Sequence, residues 1–112
     1  MNSTYDKLAM KQLSNLGVFA NYTGYFHAVY ALELSLQEPH RLQYVGKELY
    51  PEMAKHFKTS ITCIERNIRT ICSVAWKNNA ALLSEMAGYP LSKKPSNSEF
   101  LAIILAYIMM NY

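Results

Sequence analysis

The strongest constraint in this sequence is a narrow apolar stripe. Ile61, Ile64, Ile68, Ile71 and Ala75 recur at intervals of three or four residues, the period of a helix with one buried face. The opposite face carries Thr62, Arg66, Arg69, Thr70 and Ser73, flanked by Cys63 and Glu65. Just upstream, Pro51 suits the first turn of another helix, where its missing N–H costs nothing, and Met53, Ala54 and Phe57 follow at helical spacing. Lys58, Thr59 and Ser60 interrupt the pattern and offer a hydroxyl N-cap at Thr59 or Ser60. Residues 47–76 therefore predict a short helix, a tight turn and a longer helix with arginine outward, a helix-turn-helix at about 51–76.

Such a pair has a chemical use. A helix fits the major groove of B-DNA, and side chains near its N-terminus meet base edges. Arginine presents a planar fork that bonds guanine O6 and N7 together. The charge distribution points the same way. The net charge is +3, and between Lys55 and Lys77 the cations Lys55, Lys58, Arg66, Arg69 and Lys77 face only Glu65, which leaves the rest of the chain slightly acidic. Positive charge concentrated on the helix-turn-helix is what a phosphate-binding surface requires. Pattern alone leaves a solvated amphipathic surface helix as the competing interpretation.

The residues themselves go further. Lys47, Leu49, Tyr50, Pro51, Ala54, Lys55, Phe57, Thr59, Glu65, Arg66, Ile68, Arg69, Val74, Ala75 and Trp76 stand in an arrangement that resembles the DNA-binding effector domain of the stage-zero sporulation response regulator. Gly17-Val18, Gly24-Tyr25, Gly88-Tyr89 and the run KPSNSEF at 94–100 extend the resemblance over about residues 13–107. It implies an all-α fold of about six helices, a DNA-binding helix-turn-helix of winged-helix-like type, and double-stranded DNA as partner. Glu65, Arg66 and Arg69 match family residues at the DNA surface. Cys63 stands where the family has a base-reading arginine, and Thr70 where it has a histidine. The resemblance thus implies a recognition helix at about 60–76 with an altered target sequence. In the family an N-terminal phosphoryl-accepting receiver precedes this domain. A chain of 112 residues beginning at Met1 leaves no room for one, so phosphorylation-driven dimerisation in cis is not expected.

The remainder reads as helices around that unit. A chain of this length is expected to form one domain, residues 1–112. With 51% hydrophobic residues and few Gly or Pro, disorder is not expected. Residues 5–16 predict a first helix ended by Gly17, and 22–37 a second with apolar residues nearly all round, the expected central core helix. Arg41 opens a further helix, which kinks or restarts at Pro51. Lys77-Asn78-Asn79 is turn-like, and 80–87 predicts a short helix stopped by Gly88. In the family that helix is part of the surface contacting the principal sigma factor of RNA polymerase, a partner carried over here without named residues. Ser96 and Glu99 form a capping box before a last helix over 97–110.

That last helix is unusual in having no charge from Leu105 to Met110. Either it is buried more completely than an ordinary surface helix, or residues 100–110 form a homodimer or partner interface. It is too short to span a bilayer and lacks a basic polar face for lying on one, so no membrane partner is expected.

Other chemistries find no support. There is no Gly-rich phosphate loop, no nucleophile beside a base and no meaningful carboxylate pair, so no enzyme and no cofactor are expected. His27 reads as a packed histidine. His40 and His56 lack Cys or carboxylate partners at ligand spacing, so no metal site is expected. Cys63 and Cys72 lie nine residues apart on one helix, a rise of about 13 Å that forbids a disulfide. Free thiols and a polar N-terminus fit a reducing cytoplasm. The sequence thus supports a stand-alone DNA-binding regulator linked to sporulation. In it Arg66 and Arg69 read bases, Thr59, Ser60 and Thr62 cap or touch phosphates, and Lys55 and Lys58 add phosphate charge. The alternative is a non-catalytic interaction module that dimerises or binds a full-length regulator through its last helix.

Overall fold

The computed structural model describes residues 3–112; the first two residues of the domain expected over 1–112 lie outside this range. Five α-helices, α1 (Ser3–Asn15), α2 (Tyr25–Gln37), α3 (Tyr50–Phe57), α4 (Ile61–Ala87) and α5 (Asn97–Asn111), are joined by short irregular segments. No strand occurs among the described residues. α4 is bent, because Asn79 has the non-helical dihedrals φ −156°, ψ 62°. The predicted turn at 77–79 is therefore present, and the two arms of α4 account for the sixth helix.

α2 is the centre of the bundle, packed against α1, α4 and α5, as its all-round apolar surface predicts. It begins at Tyr25, three residues later than the predicted 22. Phe19 O and Tyr22 O accept from the amides of Tyr22 and Tyr25 in successive turns, and Gly24 then sits at φ +90°, outside the helical region. α1 buries Ala9 and Leu13 completely and stops at Gly17, whose amide donates to Ser14 O.

The segment before α3 departs from the regular helix predicted from Arg41. It is a 3₁₀ turn (Pro39–Gln43) followed by a π turn (Val45–Leu49). Arg41 is the reason that segment holds its shape. Its guanidinium donates to Glu48 O and pairs with Glu38 at 3.3 Å, tying both ends of the segment together. α3 restarts at Tyr50 with Pro51 in its first turn.

Both capping signals form. Ser60 Oγ accepts from the Cys63 amide at 3.0 Å, opening α4. At α5, Ser96 Oγ accepts from the Glu99 amide and Glu99 Oε1 accepts from the Ser96 amide. Those bonds from Ser96 hold the Glu99 carboxyl below its usual range. The bend in α4 is capped too, since Asn79 Oδ1 accepts from the Leu82 amide at 3.1 Å. Asn78 Nδ2 donates to Gly17 O at 2.9 Å, pinning the bend to the end of α1.

α5 resolves the question posed by its apolar sequence largely in favour of burial. Phe100, Leu101, Ile104, Leu105 and Ile108 lie in the core. The homodimer face expected over residues 100–110 has thus lost these five to the protein's own interior, while Ile103 and Tyr107 are half-buried. What remains outward are Ala102, Ala106, Met109 and Met110.

Candidate nucleic-acid interface

α3 and α4 are joined by three residues, and the joint is built on Lys58. Its φ of 54° is left-handed, a conformation more often taken by glycine. It lets the Lys58 amide reach Lys55 O and the Thr59 amide reach Ala54 O, which closes α3 and turns the chain into the Ser60 cap. The apolar stripe then fixes how α4 is rotated. Ile64, Ile68, Ile71 and Ala75 are fully buried. Ile61, expected as the first member of the stripe, is instead 38% exposed. It sits at the first helical position, where the chain has only just arrived from the turn.

With that stripe inward, the predicted face is outward. Lys55, Lys58, Ser60, Thr62, Arg66, Arg69 and Thr70 are exposed, while Thr59, Cys63 and Glu65 are half-buried. The structure thus places Lys55 on the last turn of α3 and the other nine sequence-predicted residues on the turn and the first three turns of α4. Three of the hydroxyls already have partners: Ser60 caps α4, Thr70 Oγ1 donates back to Arg66 O at 3.1 Å, and Thr59 bonds to Cys63. Among the described residues, the ion pairs fall between Glu38, His40, Arg41 and Glu48. None of Lys55, Lys58, Arg66, Arg69 or Lys77 has a carboxylate at salt-bridge distance, so their charge is directed to solvent.

Cys63 occupies a polar corner of this face. A hydrogen bond from Thr59 pulls its thiol below the ordinary range, aided by the charge and donors of Arg66 and by Asn67. Cys72 behaves oppositely, since burial pushes its thiol up to about 11. Both are free.

His40 does have carboxylate neighbours, Glu48 at 3.1 Å and Glu38 at 3.6 Å, which the sequence spacing did not reveal. Among the described residues no His, Cys, Asp or Glu group is arranged to hold a metal ion. His56 stacks on Tyr30 with ring centroids 4.0 Å apart.

The loop before α5 adds to this face from a part of the chain outside the helix-turn-helix. Lys94 Nζ lies 2.8 Å from Ser73 Oγ, so a cation from that loop rests on the outward face of α4. Lys93 and Lys94 line, with Tyr50, Glu65, Arg69 and Asn97, a cleft of about 560 Å³ between α4 and the start of α5. The adjacent dibasic pair was the available signal, but nothing local to it indicated proximity to Ser73. No helix among the described residues is long and apolar enough to cross a membrane.

An all-helical bundle with an exposed arginine face on a capped helix-turn-helix agrees with the comparison to known families. Residues 9–108 match the family described as sporulation initiation factor Spo0A C terminal. The chain belongs to that family, whose members are DNA-binding domains of sporulation transcription factors.

Proposed function

We propose that this chain is a sequence-specific transcription regulator that lays the first arm of α4, residues 60–76, in the major groove of double-stranded DNA. Arg66 and Arg69 read base edges. Thr62, Cys63, Glu65 and Thr70 shape the surface around them. Lys55, Lys58 and Thr59 meet phosphates, and Ser60 holds the helix start. The observation that carries this reading is the placement of Arg66 and Arg69: exposed, free of carboxylate partners, and opposite the fully buried Ile64–Ile68–Ile71 stripe. A regulator acting on DNA works at the nucleoid, in the cytoplasm.

Cys63 provides the test. A thiol is a weak donor without bidentate capacity, so the guanine contact implied by the family's arginine is missing. Cys63→Arg is expected to tighten binding to the family's operator by about tenfold or more, since one bidentate pair contributes about 1–3 kcal/mol of discrimination. Scrambled duplex should respond little. Arg66→Ala should weaken operator binding in either background. If Cys63→Arg changes neither affinity, α4 does not dock this way.

Two further contacts belong to the same proposal. The second arm of α4, exposed at its outer face, is the part of the chain where contact with the polymerase sigma factor would fall. The end of α5 exposes Met109 and Met110, and contact with a second copy or a full-length regulator would use these.

A further inference from the structure

The first arm of α4 is longer than a groove is wide. From Ser60 to the bend at Asn79 the helix rises about 28 Å at 1.5 Å per residue, whereas the major groove is about 12 Å across. A helix docked by its early turns therefore carries its later turns out over the sugar-phosphate backbone. The outward face does not become acidic there. Arg66, Arg69, Thr70, Ser73, Val74 and Lys77 line one continuous shallow depression, and at Ser73 that face gains Lys94 from a different part of the chain.

Lys94 is held there by its neighbours. Pro95 is buried, and its carbonyl accepts from Cys72 Sγ at 3.4 Å. Two residues on, Asn97 Nδ2 donates to Glu65 O at 2.9 Å. The loop is thus pinned to α4 just after Lys94, and before it the Leu91 amide donates to Ser84 Oγ at 3.0 Å. Among the described residues neither Lys94 nor Lys77 has a carboxylate at salt-bridge distance. Glu65 and Glu99 face the neighbouring cleft, and Glu99 is bonded back to Ser96.

We propose that Lys94, bonded to Ser73, and Lys77, one helical turn further along α4, form a second DNA contact that grips the phosphate backbone beyond the groove read by Arg66 and Arg69. The inference rests on the docking of α4 proposed above and extends it to a separate segment of the chain. Phosphate contacts position a protein without reading sequence. Losing one is expected to lower operator and scrambled-duplex affinity by the same factor.

The experiment is a salt titration of binding to both duplexes for the wild type, Lys77→Gln, Lys94→Gln, the double variant, and Lys7→Gln on α1 as a charge control. Each phosphate contact contributes about 0.9 to the slope of log affinity against log salt. The single variants should each reduce the slope by about that much, the double variant by about twice as much, and Lys7→Gln should leave it unchanged. Thermal melts verify that each variant is folded. An unchanged slope in the double variant, or a loss confined to operator DNA, overturns the second contact while leaving the docking of α4 standing. No binding by the wild type to either duplex overturns both.

Discussion

Asn67 Nδ2 lies 3.2 Å from His27 Nδ1, and this contact joins the central helix α2 to the helix that carries the arginines. The amide donates, so the imidazole nitrogen must hold a lone pair there. The same Nδ2 lies 3.5 Å from Cys63 Sγ, and the His27 ring packs on Phe57 with centroids 4.4 Å apart. One buried amide thus links α2, the end of α3 and the first turns of α4.

That arrangement makes stability depend on pH. Burial pushes the His27 pKa down. The unfolded chain therefore takes up the proton first as pH falls, and stability increases with pH wherever it does so. The contribution is intact above the ordinary histidine value of about 6.5 and is lost as pH drops from there through the lowered folded value. Denaturant melts across this range should show wild type losing stability relative to His27→Gln on acidification. Parallel curves for the two proteins would show that His27 is not the group responsible.

Gly24 is required by the same contact. Its φ is +90°, and a Cβ there would lie 2.7 Å from Asn67 O and 2.8 Å from Asn67 Cβ. Strain and overlap act together, so Gly24→Ala should destabilise by on the order of 3 kcal/mol. Chemical denaturation measures this directly, and a loss below about 0.5 kcal/mol, the range of neutral surface changes, would contradict the packing described.

Lys58 separates folding from binding. A non-glycine residue at its left-handed dihedrals costs about 1–2 kcal/mol, offset in part by the extra unfolded-state freedom of glycine. Lys58→Gly should leave stability unchanged or raise it by about 0.5 kcal/mol. The same variant should weaken DNA binding and reduce its salt slope by about 0.9. A more stable protein with weaker binding would identify Lys58 as a residue retained for its charge.

α5 distinguishes core from surface. Ile104 is fully buried and Met110 is 85% exposed. Ile104→Glu places a charge in the interior and should unfold the protein, seen as loss of helical circular dichroism. Met110→Glu should keep the fold. If the end of α5 is a dimer contact, light scattering should show that variant as a monomer at concentrations where wild type associates.

Much of the architecture was legible because its causes are local. The Ile64–Ile68–Ile71 stripe, the Ser60 cap, the Ser96–Glu99 box and the stop at Gly88 each depend on residues within one or two turns. Periodicity and capping chemistry act over that distance. The outward face of Arg66 and Arg69 followed from the same stripe, since fixing one side of a helix fixes the other.

What only the tertiary structure decided depends on residues distant in the chain. Asn67 meets His27 across 40 positions, and Lys94 meets Ser73 across 21; no periodicity records either. The helix expected from Arg41 became a 3₁₀ and a π turn because the Arg41 side chain clasps Glu38 and the Glu48 carbonyl. An apolar α5 was compatible with burial or with a partner until α1, α2 and α4 were seen to cover Phe100, Ile104 and Ile108. Composition states how much apolar surface a helix has to bury, whereas the packing of the other helices determines how much of it is left for another molecule.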